Sequence, residues 1–365
     1  DFDLIIWDDG STDGSWQIIQ SYTDPRIRAF QNTDKQRGSP VRMVVEGLET
    51  GEYIAIHHSD DAWESSKLEK QIAFLGAHPG IGAVFTDIIP IGEDGEPFTD
   101  TSRFNYTVFA QPNRSRFEWL NHFFYRGNAL CHPSVLIRRI CYQECGLYRY
   151  GMLQLADFDL WVRLCLKYEI HVLPEKLFRF RVRGNMANSS SGSRENRIRS
   201  AFEYFLVLDH YRKLQSYEEI VRTFPSAEQY NRPEGFDAGF ALGMTALESG
   251  PFVFHRLFGL QLLFETLNDP SRAEKVRQLY GFDINRFSEI SGRQDIFGLY
   301  MQAQLEGREQ ALQELAERNN ELTAQLIWKD QELQNIQRSR AWKLVTALRK
   351  IRSGILPSSN SNKNQ

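Results

Sequence analysis

Long apolar runs are missing from this 365-residue chain. No stretch approaches the roughly 18 consecutive apolar residues that a membrane-crossing helix requires, and no signal-peptide pattern is present. Cysteine is scarce: Cys131, Cys141, Cys145 and Cys165 are the four. None forms a CxxC pair, so no zinc site is indicated, and buried free thiols in a reducing cytosol are expected. Charge of one sign is also lacking. A net charge of −4 carries no basic footprint for nucleic acid. P-loop, complete GxGxxG, HExxH and GxSxG motifs are absent, which leaves kinase, dehydrogenase, metalloprotease and hydrolase readings without support. A starting methionine is missing too. The chain begins at Asp1 inside a strand-like run, and the true N-terminus is expected to be missing.

What is present alternates. Residues 3–7 (DLIIW) read as a buried strand, the cluster DDGSTDGS as a turn, and 15–22 as a helix. Helices are expected at 39–50 and 65–77, strands at 52–57 and 81–87, with Leu68, Ile72, Ala73 and Leu75 on the buried side of the second helix. Strand into helix follows at 135–145, a helix at 157–168 and strands at 170–182. This rhythm predicts an α/β fold with a mixed, mostly parallel sheet sandwiched by helices. The polar stretch GNMANSSSGSRENR, 184–197, reads as a domain boundary, and the pattern from 198 to about 300 is helical.

Three clusters carry chemistry. YIAIHHSDDAW places His57, His58, Asp60 and Asp61 at a strand end, where α/β sheets bind ligands. Two carboxylates there repel unless a cation sits between them, and oxygen ligands suit Mg2+ or Mn2+, commonly together with substrate phosphates. DDGSTDGS puts Asp8 and Asp9 at the same edge of the sheet, able to accept from a nucleobase or a ribose hydroxyl; a plain turn with a cap explains it equally. Arg42, between these strands, can face a phosphate or the base. LADFDLW sets Asp157 and Asp159 at a helix start, as a cap or as a general base.

In order, strand–DDGSTDG, GEYIAIHHSDDAW with KLEKQ, GNALCHPSVLIRR, LADFDLW and LFRFRVRGN resemble the family-two inverting glycosyltransferases of the GT-A (Rossmann-like) fold, over residues 1 to about 190. The resemblance implies transfer of a sugar, with inversion, from a nucleotide-diphosphate donor, UDP-sugar favoured, to a glycan or lipid-linked acceptor. It implies Asp9 as the nucleobase carboxylate with Asp8 beside it, and Arg42 as a nucleotide contact. It sets His58-Ser59-Asp60 in the place of the DxD motif, with Asp61 adjacent. Asp60 or Asp61 then holds the metal and diphosphate, and Asp157 is the general base, supported by Asp159 and Trp161. His58 stands where the family has aspartate, and Ala156 where it often has glutamate. His132 is expected to be a satisfied structural histidine. Arg181 and Arg183 stand between phosphate contacts and a solvated face.

Leu305, Leu312, Asn319, Leu326 and Leu333 lie seven apart, with Leu315, Leu322 and Ile336 at the companion position. This predicts a coiled coil over 301–338, and a homodimer through it. From Arg338 onward no acidic residue occurs. Residues 339–356 read as a basic amphipathic helix suited to an anionic membrane surface, before a disordered tail, 357–365. The expected organisation is a transferase domain at 1–190, a helical region at 191–300, then these C-terminal elements. A location in the cytoplasm, peripheral at the inner face of the membrane, follows. The competing readings are a catalytically degenerate scaffold working through the coiled coil, and a nucleotidyltransferase.

Overall fold

The computed structural model describes residues 2–33, 51–102, 104–183 and 193–355. They fall into two compact units, Asp1–Ile296 and Phe297–Gln365. Arg42, the expected helix 39–50, most of the stretch 184–197 and the tail 357–365 lie outside the described residues.

In the first unit, β1 (Leu4–Asp8), α1 (Ser15–Gln20) and β2 (Ile27–Gln31) form a small parallel ladder. Then come β3 (Tyr53–Ala55), β4 (Ala62–Trp63), α2 (Lys67–Ala77) and β5 (Ile81–Ile91). After α3 (Arg116–Arg126) follow β6 (Leu136–Arg138), α4 (Arg139–Cys145), α5 (Ala156–Cys165) and β7 (Glu169–Arg181). The unit ends with α6 (Arg194–Leu208), α7 (Tyr217–Thr223), α8 (Ala238–Ser249), α9 (Val253–Asn268), α10 (Pro270–Tyr280) and α11 (Ile284–Ser291).

Five strands form the main sheet in the order β3–β6–β5–β7–β4. The longest pairing, β5 with β7, is parallel and runs from Ile81↔Glu169 to Ile91↔Arg181. The antiparallel pairings, β3–β6, β5–β6 and β4–β7, are short. The sheet is therefore mixed, as the alternating pattern predicts, with its longest ladder parallel and its three short ladders antiparallel. β3 and β4 lie on opposite edges, yet only residues 56–61 join them. A chain gains at most about 3.5 Å per residue, and neighbouring strands sit about 4.8 Å apart. Residues 56–61 also contain a turn closed by Asp61 N–H to His58 O at 3.2 Å. They can join the two edges only if the sheet curls. The β5–β7 ladder supplies bends, slipping register at Thr86/Asp87 and Asp87/Ile88.

The buried side of α2 differs from the expected one. Leu75 is buried, but Ile72 and Ala73 are exposed, and Lys67 and Gln71 take the buried stripe one turn apart. Lys67 Nζ donates to Gln71 Oε1 at 2.8 Å, and Gln71 Nε2 donates to the carbonyls of Val84 and Ser134 at 3.1 and 2.9 Å. Beside β6, polar side chains satisfy main-chain carbonyls, and that requirement outweighs burying an isoleucine. Burial pushes the Lys67 amine down to about 7.

α3 starts with a capping box, Ser115 with Glu118, and stops at Gly127 with φ +81°. α5 is buried on all sides from Phe158 to Cys165. One continuous core runs from Ile54 and Phe85 through Trp119 and Trp161 to Val207, Phe258 and Val276. Each fully buried side chain of this kind contributes roughly 1.5–3 kcal/mol, so helices α6–α10 stabilise the sheet directly. Cys131, Cys141 and Cys165 are buried free thiols and Cys145 is half-buried, in line with the sequence.

In the second unit, α12 (Leu299–Arg338) is one helix of 40 residues that carries the whole seven-residue repeat. All its residues are exposed. α13 (Arg340–Ile355) follows. No described helix is long and apolar enough to cross a membrane.

Candidate active site

The turn after β3 gathers the acidic cluster. His58 Nδ1 lies 3.7 Å from Asp61 Oδ2, and one ligand atom each from His58, Asp60 and Asp61 fall within 4.8 Å of one another. The end of β7 fixes this turn. Arg181 N–H donates to Asp61 Oδ1 at 2.8 Å, and Arg181 Nε to the Asp60 carbonyl at 2.6 Å. Its Nη1 continues to the carbonyls of Gly92 and Glu93 at 2.7 and 2.9 Å. Arg183 Nε sits 3.1 Å from Asp60 Oδ2. Both arginines thus face the acidic turn.

Asp61 Oδ2 is buried and, among the described residues, has no hydrogen-bond partner. Burial pushes this carboxyl up to about 6, and Asp60 adds to the rise while the Arg181 N–H opposes it. Burial, and then His132, drives the His58 imidazole down to about 4. A neutral imidazole, two carboxylates and a buried oxygen with no donor make an oxygen-and-nitrogen set that fits a divalent cation such as Mn2+ or Mg2+.

Asp157 occupies the first turn of α5. Asn128 Nδ2 donates to its Oδ2 at 2.9 Å, and Phe158 N–H to its Oδ1 at 2.8 Å. Burial raises its carboxyl to about 6 against those two bonds. Asp157 and His58 act on each other's ionisation, and both Asp61 and Asp157 raise the buried Cys131 thiol. The base candidate and the acidic turn are therefore within electrostatic reach. His132, between them in sequence, is half-buried and bonded to the Tyr148 hydroxyl at 2.9 Å, with its ring 5.3 Å from that of His58. It is satisfied, as expected, and it also walls the site.

Other expected residues have different surroundings. β1 and β2 share no ladder with the five-stranded sheet among the described residues. Asp8 and Asp9 are thus not on the same sheet edge as Asp60 and Asp61. Asp8 is buried and accepts from the Ser11 N–H and hydroxyl and from Gln31 Nε2, the last at 2.9 Å. Asp9 accepts from Asn32 Nδ2 at 2.8 Å. Asp159 is fully buried in a clamp of Arg163 Nε at 2.9 Å, Arg149 at 3.2 Å and His210 at 2.7 Å. Burial opposes its charge, but the His210 bond and the Arg163 and Arg149 charges hold its carboxyl below the usual range. Arg163 also donates to the carbonyls of Cys145, Gly146 and Leu147. Asp159 thereby ties α5 to the preceding loop.

No local sequence signal marks Glu203. α5 has Leu155 at its N-cap position, with no capping side chain of its own. Glu203, on α6 and 1% exposed, accepts from the N–H groups of Leu153, Gln154 and Leu155 at 2.9, 2.8 and 2.7 Å. A carboxylate from a helix forty-odd residues on caps the helix that carries Asp157. Asn128 lies in GNALCHPS, and its bond to Asp157 is a tertiary contact that local sequence does not mark.

Residues 1–139 match the family model described as "Glycosyl transferase family 2". Over these residues the chain is similar to that family. The uncharacterized glycosyltransferase MJ1057 of Methanocaldococcus jannaschii is 22% identical over 212 residues, covering 57% of this chain and 68% of the relative. The Escherichia coli UDP-Glc:alpha-D-GlcNAc-diphosphoundecaprenol beta-1,3-glucosyltransferase WfaP is 37% identical over 73 residues, covering 20% of this chain and 29% of the relative. The chain thus spans less than a third of the second glycosyltransferase. A solved structure, S. aureus TarS 1-349 in complex with UDP, aligns with a TM-score of 0.43 at 15% identity, over 83% of this chain and 82% of that one. Asp157 lies beyond the family match, and the sheet and α5 bring it to the matched residues.

Proposed function

We propose that the chain is a metal-dependent, inverting glycosyltransferase that takes a nucleoside-diphosphate sugar, with UDP-sugar favoured, and acts in surface polysaccharide synthesis. The observation that carries this reading is the convergence of His58, Asp60, Asp61 and Asp157, with Asp61 Oδ2 buried and lacking a donor. His58 and Asp60 or Asp61 would hold a divalent cation, which offsets charge on a leaving diphosphate. Asp157, with its carboxyl near 6, is ionised at neutral pH and able to accept the proton of an acceptor hydroxyl. Asn128 and the Phe158 N–H keep that carboxylate oriented. Attack on the anomeric carbon from the face opposite the leaving group inverts the configuration. Asp8, Asp9 and Arg42 remain assigned to the nucleotide.

A lipid-linked acceptor at the inner membrane face fits the chain's C-terminus. α13 exposes Trp342, Leu344, Val345, Leu348 and Ile351 among basic residues, which suits an anionic bilayer. WfaP, by its name, acts on a diphosphoundecaprenol-linked sugar. The exposed repeat of α12 fits a two-stranded coiled coil with a second copy, Asn319 favouring one register.

The test is calorimetric titration with UDP, dTDP and GDP, with and without Mn2+, on the protein and on Asp60→Ala and Asp61→Ala. Metal-dependent binding that either substitution abolishes supports the reading and names the base. A folded protein that binds none of them overturns it, and leaves the coiled-coil scaffold as the better account.

A further inference from the structure

The space between α3 and the end of α7 is a cavity of about 440 Å³ that the transferase reading does not use. Its size is within the usual range for small-ligand sites, roughly 300–1,000 Å³. Arg114, Arg126 and Arg222 line it, with His122 and Tyr125. Glu118 is the one carboxylate among the lining residues, and it is committed. It accepts the N–H and hydroxyl of Ser115 at 2.8 and 2.7 Å, as the cap of α3. Three guanidinium groups thus share a concave wall without an equal number of anions.

Two of them are held in place. Arg114 lies over the Trp119 ring at 4.7 Å and Arg222 over the Phe117 ring at 4.1 Å. Stacking fixes the plane of a guanidinium and leaves its edge donors available. Arg114 spends Nη1 on Gln111 Oε1 and the Pro112 carbonyl, at 2.9 and 3.2 Å. Arg222 reaches only Glu218, at 3.4 Å, in an exposed pair. Among the described residues, Arg126 and His122 have no hydrogen-bond partner. Burial first, then the charges of Arg114 and Arg126, hold the His122 ring down at about 4.

We propose that this cavity binds a small anionic ligand, of one or two sugar units in size, through phosphate or carboxylate groups. Preordered guanidinium forks match those groups in bidentate geometry at low ordering cost. The proposal does not depend on the reading of the acidic turn.

The experiment is calorimetry on the whole chain in EDTA, so that metal-dependent nucleotide binding is silent, at about 0.15 M salt. The probes are pyrophosphate, glucose 1-phosphate, glucuronate and uncharged glucose. The expected result is binding of at least one anion and none of glucose, weakened about tenfold or more by Arg126→Ala and by Arg222→Ala. The ranking of pyrophosphate against glucuronate separates phosphate from carboxylate recognition. The His122 ring, followed by NMR, should titrate at higher pH when the ligand is bound. Arg126 is exposed and partnerless, so Arg126→Ala keeps the test valid should Arg222→Ala loosen the packing on Phe117. The proposal fails if no anion binds or if affinity is the same in Arg126→Ala.

Discussion

Removing the Glu203 carboxylate should damage both the fold and the base. In Glu203→Ala the N–H groups of Leu153, Gln154 and Leu155 lose their acceptor. Each such loss costs roughly 1–3 kcal/mol, but Leu153 is exposed and water can replace its bond. The costs are also less than additive, so about 2–4 kcal/mol is expected, and a melting temperature lower by roughly 3–6 °C. Glu203→Gln keeps one acceptor oxygen. Oriented towards Gln154 and Leu155, it sacrifices only the Leu153 bond and the charge, for about 1–2 kcal/mol. On the transferase reading, Asp157 lies two residues past Leu155, and a shift of about 1 Å can cost about a hundredfold in rate. Calorimetric melting and steady-state kinetics, run well below the lower melting temperature, test both effects. The expected order is wild type, Glu203→Gln, Glu203→Ala, with kcat falling and affinity for the nucleotide diphosphate unchanged. An unchanged melting temperature in Glu203→Ala would refute the capping argument. A lower melting temperature with kcat intact would show that the cap stabilises α5 without orienting Asp157.

Asp157→Asn should lower kcat by about 10²–10⁴-fold while leaving nucleotide binding intact, and the wild-type acid limb of the pH–rate profile should lie near about 6, absent in the variant. In metal-free protein, Asp61 has its carboxyl raised from 3.8 to about 6. The native state therefore keeps a proton that the unfolded chain releases, and wild-type stability should rise as pH falls through that window. Asp61→Asn should flatten this dependence and be more stable at about pH 7.5 by up to about 3 kcal/mol. It should also lose the rise in melting temperature that Mn2+ gives the wild type; a retained rise would remove Asp61 from the metal set. Leu312→Asp with Leu326→Asp should convert a dimer to a monomer by sedimentation equilibrium, and a monomeric wild type would end the coiled-coil proposal.

The acidic turn, the candidate base and the α/β alternation were legible because each is local. A strand that ends in HHSDD, or a helix that opens on ADFD, needs only neighbouring residues to be recognised, and the heptad repeat is likewise written in the spacing of leucines. Burial of α2 was not legible. Ile72 looks like core by composition, but the carbonyls of Val84 and Ser134, far along the chain, select Gln71 for that face.

By itself, then, the sequence determined much of the order of strands and helices, the candidate ligands His58, Asp60 and Asp61, and the candidate base Asp157. Tertiary structure decided what surrounds them. It pairs Arg181 and Arg183 with the acidic turn, strips Asp61 Oδ2 of donors, sets Asn128 on Asp157 and caps α5 with Glu203. These contacts join residues tens of positions apart. Their existence depends on the curl of the sheet and on the shared core, which no periodicity along the chain encodes.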